Sequence, residues 1–151
     1  MTQTSKLPLP SVEDTILFAV QAHRGGTAKG GAPYILHVLR VALMLESAEE
    51  QIVGLLHDTI EETSVTLDQL RVRGYSDAIV NAVDHLTWRK ECERYEDYIE
   101  RLRSDPLAVS VKLADIKDHL TPATDRGPVW LQQNHPKLYE RYQKAMVVLS
   151  G

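Results

Sequence analysis

Apolar residues recur along this chain with the three-and-four spacing of helices, and no stretch shows a convincing strand pattern. Ser11-Val12-Glu13-Asp14 reads as a helix start, with Ser11 as cap and acids in the first turn. Ile16, Leu17, Ala19 and Val20 continue it to about His23. Pro33 suits the first turn of a largely buried helix over Tyr34 to Leu45 (YILHVLRVALML). Ser47-Ala48-Glu49-Glu50 fits a capping box, and the helix after it carries Ile52, Val53, Leu55 and Leu56. Thr66-Leu67-Asp68-Gln69 fits a second box, for a short helix that stops before Gly74. Ser76 caps the next, with Ile79, Val80, Ala82 and Val83 as core candidates. Residues 87–94 read as a polar loop, and Tyr95 to Arg103 returns to helical spacing. Asp105-Pro106 supplies a cap and a first-turn proline for a helix through Leu120. Thr121 to Gln133, with Pro122, Gly127 and Pro128, should be irregular. Pro136 then begins an amphipathic helix with Leu138, Tyr142, Ala145, Met146 and Leu149 inward. Residues 1–10 read as an extended arm. The expectation is one all-α domain over residues 1–151.

Composition narrows the function classes. The chain has 151 residues, 43% hydrophobic and 25% charged, which suits one soluble domain with a substantial core. Its net charge of −4 argues against a general nucleic-acid or membrane-surface binder. Cys92 is the sole cysteine, which excludes an internal disulfide and a cysteine-built zinc site. No apolar run reaches the length of a membrane span, and Met1 to Pro10 lacks a signal-peptide core, so a cytoplasmic location is the default expectation.

Candidate chemistry centres on Gly54-Leu55-Leu56-His57-Asp58-Thr59-Ile60-Glu61-Glu62-Thr63. On one continuous helix, His57 and Glu61 lie a turn apart on one stripe, and Asp58 and Glu62 on the next. Such groups are costly to bury unless paired or bound to a cation, so a divalent metal is the simplest explanation. A His-Asp pair also occurs on solvated helix ends. Arg24 to Ala32 (RGGTAKGGA) is either a flexible connection or a loop whose backbone approaches an anion, with Arg24 and Lys29 supplying charge. His37, among apolar residues, is a core histidine or a ligand according to what it faces. Lys112, Asp115 and His119 share a helix face, as a plain ion pair or as a ligand with substrate-side companions.

Four motifs occur in order: Ala22-His23-Arg24-Gly25-Gly26, Pro33-Tyr34-Ile35-Leu36-His37, the stretch from Leu55 to Thr63, and Val111-Lys112-Leu113-Ala114-Asp115. Together they resemble the HD-domain hydrolases of the RelA/SpoT type, specifically the stand-alone small alarmone hydrolases. The resemblance covers residues 15–120 well and the last helix loosely. It implies an all-α HD-domain helical bundle with a single metal site, in which one Mn²⁺ is held by His37, His57, Asp58 and Asp115. Nitrogen and carboxylate ligands also suit Fe²⁺ or Zn²⁺. It further implies that Glu61 and Glu62 help activate the attacking water and that Lys29 and Lys112 face the phosphates. The reaction implied is removal of a 3′-pyrophosphate from a purine nucleotide alarmone such as (p)ppGpp, the messenger of the stringent response.

Three positions depart from that family's pattern. Ala28 stands where an arginine usually packs on the base, Glu62 where aspartate is usual, and His119 where an asparagine usually contacts the sugar. The missing arginine favours adenine alarmones, (p)ppApp, weakly over guanine ones, with Trp130 or a tyrosine of the last helix as a substitute flat surface. Arg24, Lys29, Lys112 and His119 are the expected substrate contacts, His119 through the ribose or the leaving oxygen. The synthetase half of long RelA/SpoT proteins has no room in 151 residues, so synthesis is not expected. An HD-domain 5′-nucleotidase would use the same four ligands, but a basic glycine-rich loop suits a longer phosphate chain. An idle nucleotide-binding sensor fits poorly with intact ligands and both glutamates.

Overall fold

The structure, a computed structural model, describes residues 8–121 and 127–151. Ten helices occur among them: α1 (Val12–His23), α2 (Tyr34–Leu43), α3 (Ala48–Leu56), α4 (Thr59–Glu62), α5 (Leu67–Val72), α6 (Asp77–His85), α7 (Tyr95–Arg103), α8 (Pro106–His119), α9 (Gly127–Asn134) and α10 (Pro136–Ser150). No strand is present among the described residues; Thr27 and Pro33 form an isolated antiparallel bridge. Residues 1–7 of the expected arm lie outside the described residues. No described helix is long and apolar enough to cross a membrane.

Five of the ten described helix starts follow caps written in the sequence. Ser11, Ser47 and Thr66 each accept a backbone N–H three residues on, while Asp14, Glu50 and Gln69 return the bond to the cap's own N–H. Two donors that would lack a partner are thereby satisfied at each start. Ser76 and Asp105 cap α6 and α8 in the simpler way, and Pro106 occupies the first turn of α8.

Helix α3 is the centre of the bundle. Ile52, Val53, Gly54, Leu55 and Leu56 are all buried, so the second half of the helix is apolar on every side, and α3 packs against α1, α2, α6 and α8. Leu55 joins Ala19, Val38 and Ala42 in a small cluster, while Val53 and Leu56 enter the main core. Truncating either leucine to alanine costs about 2–5 kcal/mol at such sites. Gly54 lets α2 come close: a Cβ there would lie 2.9 Å from a methyl of Leu45 and 3.4 Å from the Cα of Ala42.

Two expectations need correction. The helix holding the His-Asp pair is not continuous through Glu62. Thr59 Oγ1 donates to Leu56 O at 2.7 Å and His57 Nδ1 to Gly54 O at 2.5 Å, so side chains take up carbonyls at the end of α3. Asp58, at φ −105° and ψ 0°, then starts the single turn of α4. The segment Thr121 to Gln133 is not irregular throughout: Thr121 lies outside any helix, but the described residues from 127 on are helical. Gly127–Asn134 is helical because Pro128 sits in the first turn, where its missing N–H costs nothing, and Leu131 is buried in the core. Residues 122–126 of that expectation lie outside the described residues.

Candidate functional site

The bend between α3 and α4 turns His57 and Asp58 toward α8, while α2 brings His37 from the other side. One ligand atom from each of His37, His57, Asp58 and Asp115 lies within 4.8 Å of the others. His37 Nε2 stands 2.9 Å from Asp115 Oδ1 and 3.5 Å from Asp58 Oδ2. His57 Nε2 stands 3.0 Å from Asp58 Oδ2 and 3.3 Å from Asp115 Oδ1.

The outward ring nitrogens determine how the inward ones are presented. Gly54 O can only accept, so His57 Nδ1 carries a proton, and Nε2 of the neutral ring keeps its lone pair toward the cluster. His37 Nδ1 likewise meets Asp118 Oδ2 at 2.6 Å. Two imidazole lone pairs and two carboxylates, converging and buried except for the partly buried Asp58, are a donor set that fits a divalent first-row cation.

Without a cation, protons take its place. Burial opposes the charged form of His57, but the Asp58 and Asp115 carboxylates outweigh it and push the pKa up to about 10. Burial also opposes charge on His37, whose carboxylate partners again raise its pKa well above the ordinary value. Asp58 and Asp115 are held well below theirs: burial is outweighed by His57 and His37 at Asp58, and by Lys112 and His119 at Asp115. A metal must therefore displace protons from both rings. We expect Mn²⁺ titration at pH 7 to release protons and the apparent affinity to rise with pH toward about 10. Calorimetry in two buffers of different ionisation enthalpy measures the release; a proton count of zero at pH 7 would contradict it. In the metal-free protein the histidines' contribution to stability is complete below 6.5 and is lost as pH rises through their raised pKa values. The aspartates' contribution is complete above 3.8 and is lost as pH falls through their lowered ones, so the cluster stabilises the fold most between 3.8 and 6.5.

A cavity of about 270 Å³ opens over the cluster. His37, Asp58 and Asp115 line it, together with Glu61, Glu62, Lys29, Lys112 and His119. Glu61 Oε1 accepts the Trp88 backbone N–H at 2.5 Å. Burial raises the Glu61 pKa, against the lowering effect of that bond. Lys112 Nζ pairs with Asp115 Oδ2 at 3.0 Å, and His119 Nε2 lies 3.3 Å from Asp115 Oδ1. The ring of His119 is stacked between His37, at 4.4 Å between centroids, and Tyr142, at 5.0 Å and nearly parallel. Ala28 and Trp130 also line the cavity. Arg24 does not: it is exposed and lines a separate depression with His23, Thr63 and Ser64. The tip of the glycine-rich loop is closed by Ala28 N–H to Ala32 O and Gly31 N–H to Ala28 O, with Gly31 at φ +93°.

Sequence reasoning gave no role to Tyr34, whose hydroxyl donates to Asp58 Oδ2 at 2.5 Å, nor to Trp88, Arg40 or Asp118. Arg40 and Asp118 did carry a signal, each lying three residues after an expected ligand, on the same helix face.

No protein-family model matches the chain. It is 32% identical over 114 residues to a protein of Aquifex aeolicus named guanosine-3′,5′-bis(diphosphate) 3′-pyrophosphohydrolase, covering 68% of this chain and 16% of that one. It is 32% identical over 119 residues to the GTP pyrophosphokinase of Streptomyces coelicolor, covering 71% and 14%. It is 32% identical over 112 residues to the bifunctional (p)ppGpp synthase/hydrolase SpoT of Escherichia coli, covering 66% and 16%. The chain thus spans about one sixth of the length of the curated relatives it matches. A solved structure described as a metazoan ortholog of SpoT that hydrolyzes ppGpp matches all of this chain and 89% of its own, with a TM-score of 0.76 and 21% identity, and so shares the fold.

Proposed function

We propose that this chain, an HD-domain protein of the RelA/SpoT type, is a metal-dependent 3′-pyrophosphohydrolase of purine nucleotide alarmones. The observation that carries the reading is the convergence of two imidazole nitrogens and two carboxylates beside Glu61 and Glu62, in a cavity also lined by Lys29 and Lys112. His37, His57, Asp58 and Asp115 would hold the ion, assigned as Mn²⁺ from the family resemblance. When bound, the ion supplies Lewis acidity toward a phosphoryl oxygen and the attacking water.

The rest of the chemistry belongs to side chains. Glu61, raised in pKa by burial, is a stronger proton acceptor than an exposed glutamate, and it takes the proton of the water. Glu62 assists from the same turn. The water oxygen bonds to the phosphorus that carries the 3′-oxygen; the bond between that phosphorus and the 3′-oxygen breaks, and the ribose oxygen leaves with a proton. His119, which lines the cavity, would bind the ribose or give that proton. Lys29 and Lys112 offset phosphate charge, and Arg24 meets an extended substrate only beyond the main cavity.

Chromatography of the products from a nucleotide panel with Mn²⁺ tests the reading. Pyrophosphate from a 3′-pyrophosphate supports it; orthophosphate from a monophosphate supports a 5′-nucleotidase; tight binding without turnover supports an idle sensor.

Base preference is the finer part. A guanidinium at position 28 stacks on a purine and reaches its edge, which a methyl group cannot do. We expect a higher kcat/KM for the adenine than for the guanine 3′-pyrophosphate, and faster guanine turnover in Ala28→Arg. Faster wild-type hydrolysis of the guanine substrate, with no effect of Ala28→Arg on either base, would show that this position does not read the base.

A further inference from the structure

His37 is the one ligand whose outward nitrogen is held by a side chain that mutation can remove. Its ring lies between two carboxylates of α8: Asp115 Oδ1 at 2.9 Å from Nε2, and Asp118 Oδ2 at 2.6 Å from Nδ1. Asp118 is itself gripped by Arg40, with Nε to Oδ1 at 2.7 Å and Nη2 to Oδ2 at 3.1 Å. The two helices meet through matching spacings, His37-x-x-Arg40 on α2 and Asp115-x-x-Asp118 on α8. Each spacing sets two side chains one turn apart on one face. Asp115 and Asp118 therefore take opposite edges of one imidazole, and Arg40 backs the outer carboxylate.

We propose that Asp118, secured by Arg40, is a positioning residue that fixes the ring angle and tautomer of His37, so that the Nε2 lone pair faces the metal cluster. The inference rests on the metal reading of that cluster. Asp118 is not a ligand: its oxygen meets the nitrogen on the far side of the ring. It is 3% exposed, and Arg40 neutralises it, so it stays an acceptor and Nδ1 stays the donor. A carboxylate behind a metal-binding histidine fixes the tautomer and raises ligand basicity, and losing such a partner costs about 10–100-fold in metal affinity. A plain cross-link between α2 and α8 would instead affect the fold and leave affinity alone.

The test uses the full chain and Mn²⁺ titrations by calorimetry, beside thermal melts of the metal-free protein. Asp118→Asn keeps the shape and an acceptor but loses the charge, and we expect Mn²⁺ to bind about 10–100-fold more weakly. Arg40→Gln, at a half-exposed position, should fold even if Asp118→Asn does not, and should weaken Mn²⁺ by up to about tenfold, the low end of that range. In the wild-type chain loaded with diamagnetic Zn²⁺, nitrogen-15 spectra should show the His37 proton on Nδ1. Unchanged Mn²⁺ affinity in the folded variants, a lower melting temperature as the sole effect, or a proton absent from Nδ1 would each overturn the proposal. Failure of the wild-type chain to bind Mn²⁺ would overturn the metal reading beneath it, a separate outcome.

Discussion

Asp115→Asn is expected to abolish detectable turnover and to leave the protein unable to retain Mn²⁺ at micromolar concentrations. Asp115 is the junction of the site: one oxygen lies within 3.3 Å of nitrogens of His37, His57 and His119, and the other pairs with Lys112 at 3.0 Å. The amide keeps the shape but removes the charge that offsets the cation and the lysine. The loss in Mn²⁺ affinity should exceed the roughly 100-fold upper range for a residue behind the ligands. Lys112, 9% exposed, loses its carboxylate partner as well. Removing one partner of a buried pair costs about 3–5 kcal/mol, to be read from urea denaturation of the metal-free variant. Full turnover, with Mn²⁺ affinity within tenfold of wild type, would remove Asp115 from the site.

Glu61→Gln separates the chemistry from metal holding. Glutamine preserves the acceptor for the Trp88 N–H, so the bend and the four ligands stay in place. Activity should fall roughly 10²–10⁴-fold, the usual contribution of a general base, at unchanged Mn²⁺ affinity. Glu62→Gln, tested alongside, should have the smaller effect, because Glu62 lacks the backbone bond that orients Glu61. A silent Glu61→Gln beside an inactive Glu62→Gln would reverse the roles, and full activity in both would leave the proposed base without support.

Much of the bundle was legible because its signals are local. Ser11, Ser47 and Thr66 announce helix starts within four residues, and the apolar stripes of α1, α3 and α6 need no partner to be recognised. The failures came where a side chain competes with the backbone or a proline has two meanings. Periodicity runs smoothly through Leu56 to Glu62, and the break there comes from the bonds of Thr59 and His57 to carbonyls of α3. Pro128 reads as a breaker but starts α9. The cluster itself is a long-range fact: spacing proposes Lys112, Asp115 and His119 as one face, but only packing of α8 on α2 and α3 brings that face to His37 and His57. The resemblance named the four residues, whereas Asp118 and Tyr34 emerge from the geometry that surrounds them.

The long reach of that cluster sets an order on the birth of the protein. Asp58 and Asp115 are 57 positions apart in the sequence. At about 5–20 residues per second, a ribosome needs roughly 3–11 s to cover that distance. During this interval α2 and α3 can pair around the close approach at Gly54, but the carboxylates of α8 that complete the cluster do not yet exist. A nascent chain can thus collapse around its apolar centre well before it can capture a cation. On the proposed metal reading, the four-ligand site is complete only once a single late helix, α8, has emerged.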